Sequence, residues 1–160
     1  MGMKTAFLTY GPARTSPALK VAATAAYVIG GVLLVWSAYV HFHLWQSVGY
    51  RKIPTIGPLF LLQSIGGLAL GLLVIAVRRV WAAILGVGFA LSTMVGFFIS
   101  VHHGLFGFKD SSAAPYAHEA LIIEIATIAV LIVAGALCFA RSASPTLTRT
   151  APSKRASAGA

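Results

Sequence analysis

Acid is what this sequence has least of. Asp110, Glu119 and Glu124 are its three acidic side chains among 160 residues, and charged residues of either sign make up 9% of the chain, against roughly 25% in soluble domains. Paired-carboxylate catalysis would have to draw on those three residues alone. Cysteine is almost as scarce: Cys138 is single, which excludes an intramolecular disulfide and makes any thiol redox cycle depend on a partner. Set in an apolar run, it reads as a small packing residue. A phosphate-binding glycine loop, a nucleophile elbow and an HExxH zinc motif are also missing, so the common soluble-enzyme signatures are absent.

Apolar residues fill the space instead. They make up 58% of the chain, and the mean hydropathy is +0.87. Four runs reach the length of about 20 apolar residues that a hydrocarbon core demands: Val21 to Leu44, Gly57 to Val77, Val80 to Val101 and Ala117 to Ala140. A backbone in lipid must satisfy its own hydrogen bonds, so uninterrupted runs of this length predict helices. The expected fold is all-α, a four-helix transmembrane bundle over 18–140, in a multi-pass plasma-membrane protein. Residues 1–17 and 141–160, rich in Ser, Thr, Ala and Pro, are expected to be disordered. The first twenty residues lack a short apolar segment with a small-residue cleavage site, so the first run is expected to act as an uncleaved anchor.

The formal charge of +9 does not indicate nucleic acid. Lys4, Arg14, Lys20, Arg78, Arg79, Arg141, Arg149, Lys154 and Arg155 all fall on one side of an even number of spans. The positive-inside rule makes that side, with both termini, cytoplasmic. The partner implied is membrane lipid, whose anionic surface attracts such basic tails. A homo-oligomer, with the small-residue strips of the second and third runs as its interface, or a larger membrane complex is a further partner reading. Tryptophan, tyrosine and phenylalanine at 45, 50, 106, 108 and 116 would form the outer aromatic belt.

Small residues mark seams where helices approach closely. The third run carries Gly88, Ser92, Gly96 and Ser100, and the second carries Gly67 and Gly71. A shift of 61 residues lays Val40 on Val101, His41 on His102, Leu44 on Leu105, Pro54 on Pro115 and Gln63 on Glu124. Such a pattern is that of a duplicated two-helix hairpin, a parallel repeat about the membrane normal.

Candidate chemistry gathers toward the outer side. Glu124 lies about seven residues, or roughly 10 Å, inside the fourth span. A carboxylate there is costly unless it is protonated, paired or hydrated, so it marks a functional site with a partner to be found. Gln63 lies at a similar depth, about 9 Å, with His41 and His102 shallower at about 5 Å. Periodicity puts His41 above Ser37 on its helix, whereas the strip ending at Ser100 selects His103 rather than His102; both are retained. A proton or solute site would therefore comprise Glu124, Gln63, His41, His102 and His103. A transition-metal site would draw on His41, His103 and Glu124, with His43 and His118 as further ligands. Haem b held between histidines of the first and third spans is another reading. A fourth is a hydrogen-bonded lock that only fixes the bundle. Ser111 or Ser112 is expected to cap the fourth helix, with Pro115 in its first turn.

The segments "VHFHLW", "GYRKIPTIGPLFLLQ", "HHGLFGF" and "AHEALIIE" resemble small four-span membrane proteins of high-GC Gram-positive bacteria. The resemblance covers about residues 20 to 140 and implies an inner-membrane protein without assigning an activity. The architecture is also loosely similar to DoxX-like four-helix proteins, some of which are associated with quinone-linked redox work. Three roles follow: handling of protons, a metal ion or a small solute at an outward-facing site; a redox subunit binding haem or quinone; or a non-catalytic accessory or assembly subunit.

Overall fold

The computed structural model describes residues 17–142. Among them are four long helices: α1 (Pro17–His43), α2 (Ile56–Val77), α3 (Val80–His102) and α4 (Ala117–Ser142). Each is long and apolar enough to cross a membrane, so the chain is a multi-pass, all-α membrane protein. Helix limits agree with the sequence reading to within a few residues. Pro17, which presets the helical φ and lacks the N–H that a first turn leaves unpaired, is already helical, and α4 runs on to Ser142. The remainder of both expected disordered segments lies outside the described residues.

The helices run up and down, which leaves two kinds of end. The termini end holds the two-residue Arg78–Arg79 link between α2 and α3; the loop end holds the α1–α2 and α3–α4 connections. At the loop end α1 continues as a π-helical turn, Leu44–Val48, and Gly49, at φ 100°, reverses the chain into a 3₁₀ turn, Tyr50–Lys52. Gly57 then lets α2 start directly beneath that turn: a Cβ here would stand 2.9 Å from the Arg51 carbonyl oxygen and 3.0 Å from its Cα.

Helices that face lipid gain little from hydrophobicity, so close fit holds them together. The α1–α2 seam forms where expected, at Gly67 and Gly71; a Cβ on Gly71 would stand 2.7 Å from the Gly31 carbonyl oxygen. Leu131 of α4 fills the space left by Gly30 of α1 and Gly86 of α3. The expected α3 seam is different. A side chain on Gly88 or Gly96 would meet nothing within 4 Å, whereas Ala82, Ala83, Gly86 and Ala90 are buried. Four-residue spacing defines a strip without saying which way it faces, and α3 turns the equally spaced strip of Ala82, Gly86 and Ala90 inward.

Two apolar clusters result. One, toward the termini end, contains Tyr27, Leu34, Val74, Ala82, Leu131 and Ala134; the other, at the loop end, contains Val40, Leu44, Tyr50, Ile56 and Ile123. Between them lies a polar layer that includes buried Ser37, His41, Ser100, Glu124 and Thr127. Of the four neighbouring helix pairs, α2 and α3 make the thinnest contact.

A polar cavity in the loop-end half of the bundle

Glu124 anchors the polar layer. It is 1% exposed, and the Ser37 hydroxyl donates to its Oε1 at 2.6 Å. Its other oxygen, Oε2, is buried without a hydrogen-bond partner, as is the Ser100 hydroxyl on α3. Ser37 also ties in His41: the imidazole Nδ1 lies 2.8 Å from the Ser37 carbonyl oxygen and 3.5 Å from its hydroxyl. A carbonyl can only accept, so Nδ1 carries the proton and Nε2 is left as the basic nitrogen. The pair therefore offers two acceptor atoms, carboxyl Oε2 and imidazole Nε2, joined through one serine.

Both residues line a cavity of about 460 Å³. Its floor is the polar layer, its walls come from all four helices, and its roof is built by Tyr50 and by Leu105, Phe108 and Asp110 of the α3–α4 loop. The roof is an aromatic and polar latch. Tyr50 stacks on Phe60 with ring centroids 4.6 Å apart and meets Phe108 edge-on at 5.9 Å. Its hydroxyl donates to the Asp110 carboxylate at 3.3 and 3.4 Å, and the Asp110 backbone N–H reaches the Ser100 carbonyl at 3.3 Å. Burial, followed by the adjacent Asp110 charge and its hydrogen bond, pushes the Tyr50 phenol up to about 12.

Gln63 lines the cavity from α2, where its amide donates to the Thr93 hydroxyl of α3 across the thin α2–α3 contact; Thr93 in turn donates to the Phe89 carbonyl at 3.1 Å. Thus Glu124, Gln63 and His41 converge on one space, and Ser37 supplies the link.

The remaining histidines are placed elsewhere. His102 and His103 are exposed and do not line the cavity. The His102 ring bends back to the Phe98 carbonyl at 2.9 Å, and the chain leaves the helix at His103 and the left-handed Gly104, φ 83°. The polar groups that α3 supplies to the cavity are Ser92, Thr93 and Ser100, where a histidine was expected. His43 stacks on Tyr39 and meets Tyr116 edge-on at 5.3 Å, while His118 is exposed at the start of α4. The helix starts at Ala117, so Pro115 precedes it instead of occupying its first turn. Ser111 accepts from the Ala113 N–H at 3.1 Å, making a local turn six residues before the helix and no cap.

The donor sets proposed from sequence for metal and haem are not assembled by this arrangement. Among the described residues, no three of His, Cys, Asp and Glu come together: His41 and Glu124 are joined only through Ser37, and His43, His103 and His118 do not line their cavity. Haem ligation between the first and third spans would need His102 or His103 to face His41, and neither lines the cavity that His41 does.

Thr93 had no sequence signal, because a threonine bonded to its own helix looks like any other. Asp110 was noted only as a charge, and Ser100 only as a small residue. No known family matches the chain, and searches of curated proteins and solved structures found no match either. What the fold and cavity define is a four-span integral membrane protein with a buried carboxyl group at an internal cavity.

Proposed function

We propose that the protein handles a small solute at this cavity, linked to proton exchange on Glu124 and His41, and that it does so in the plasma membrane with the cavity toward the outside. The observation that carries this reading is the half-satisfied carboxyl of Glu124. A group with 1% exposure that serves only as a lock would be expected to use both oxygens, yet Oε2 is unpartnered beside a space large enough for a ligand. Leaving a buried acceptor unmatched costs about 1–3 kcal/mol, which an arriving donor or proton would remove.

The arrangement suits a proton relay. Ser37 contacts both the carboxyl and the imidazole, and a hydroxyl both donates and accepts. Infrared difference spectroscopy on the protein in lipid tests it. A carboxyl C=O band that appears or vanishes between about pH 5 and about pH 9, the range over which histidine and buried acids exchange protons, should be present in the unaltered chain. It should be missing in Glu124→Gln. A spectrum with no such titrating band would show that Glu124 keeps one protonation state, and the reading would fail.

A further inference from the structure

Resting on that reading, we propose that the solute is a membrane-dissolved amine, an apolar body carrying one N–H-bearing cationic nitrogen, admitted from the lipid between α2 and α3. Charge is the first argument. The chain has twelve Lys and Arg and three acids, yet the cavity is lined by two of the acids, Asp110 and Glu124, and by neither a lysine nor an arginine. A site of that sign in so basic a protein favours a cation and disfavours an anion. The unpartnered Oε2 of Glu124 is the atom that would accept from the nitrogen, and the paired charges would make the buried carboxylate tolerable. Aromatic rings supply the rest of the wall, among them Phe60, Phe89, Phe97 and Phe108; their faces attract cations and their bulk suits an apolar body.

The way in is the second argument. Leu59, Leu62 and Ser92 line the cavity and are also exposed on the outer surface of the helices, Leu62 at 66%. Because α2 and α3 span the membrane, that surface faces hydrocarbon, so the cavity reaches lipid between them. The roof of Tyr50, Phe108 and Asp110 covers the alternative path from water. Among the described residues, the Gln63–Thr93 hydrogen bond bridges the gap at this level. A solute entering here must first dissolve in the bilayer, which an amine does in its neutral form. There the nitrogen takes the proton of the Glu124 carboxyl group, leaving an ammonium paired with a carboxylate.

Binding of naphthylmethylamine, naphthylmethanol and naphthoic acid to the full chain in lipid nanodiscs tests this, with empty nanodiscs correcting for partitioning. The amine should bind about tenfold or more tightly than the alcohol, and the acid should not bind. Amine binding should weaken as pH falls, because protons compete for Glu124. His41 from α1 gains charge in the same direction and Asp110 from the loop loses it; the polar groups from α2 and α3 are the neutral Gln63, Ser92, Thr93 and Ser100. Glu124→Gln should abolish the preference for amine over alcohol. Ser92→Trp, at a lipid-exposed position on the mouth, should slow association of the amine about tenfold; an unchanged rate would overturn the lipid route. Equal binding of alcohol and amine by the unaltered chain would overturn the cation assignment. The infrared band of Glu124 is read without any ligand, so it can persist when this proposal fails.

Discussion

Tyr50 shows how much a single side chain can be asked to do at the loop end. It closes one apolar cluster, stacks on Phe60 and holds the α3–α4 loop through Asp110. Its phenol is pushed up to about 12 by burial and by the Asp110 charge, against about 10 for the free side chain. The folded protein therefore keeps a proton that the unfolded chain gives up, and stability falls as pH rises from about 10 to about 12. Spectrophotometric titration of the protein at the tyrosinate band should show a phenol with this late transition that is lost in Tyr50→Phe. Asp110→Asn should bring it back toward 10, since the charge is gone and only burial remains. An unmoved titration would mean that Asp110 has no hold on the roof. None of this was legible beforehand, because the two residues are 60 positions apart and both lie in connections, where periodicity says nothing about contact. Glu124 was legible for the opposite reason: an acid within an apolar helix stands out against its neighbours.

The helices themselves were largely readable, since length and apolarity in lipid leave only one backbone structure. Their faces were less so. Gly67 and Gly71 lie in a seam as expected, but Gly88 and Gly96 do not, and equal spacing gave no means of telling the cases apart. His102 failed similarly: it sits where α3 ends, and a repeat in sequence could not foresee a ring folded back on Phe98. The contact that ties three helices together is Leu131, buried against Gly30 and Gly86. Lipid is as apolar as leucine, so truncating it forfeits packing and not transfer energy. Leu131→Ala should therefore cost about 2 kcal/mol, the low end of large-to-small core changes. The same change at Ile132, which is 56% exposed, should cost much less. Comparing the two variants by reversible unfolding in mixed micelles checks this; equal losses would mean that Leu131 does not bind the helices together.

At the level of the whole molecule, four spans place Arg78 and Lys109 at opposite ends of the bundle. The charge distribution predicts which end is which, with nine basic residues inside. Cysteine labelling in intact cells, on a Cys138→Ala background, should modify Lys109→Cys from outside and reach Arg78→Cys only after permeabilisation. The reverse pattern would invert the orientation and turn the cavity inward. The short Arg78–Arg79 link has a mechanical consequence. It pins one end of α2 to α3 while Gln63 sits fifteen residues away, a lever arm of about 22 Å along the helix. Swinging one helix by about 5° about that pivot moves the opposite side by about 2 Å, enough to break the Gln63–Thr93 bond. Spanning helices change tilt on this scale to match hydrocarbon thickness, so the width of the bilayer bears directly on how far the passage stands ajar.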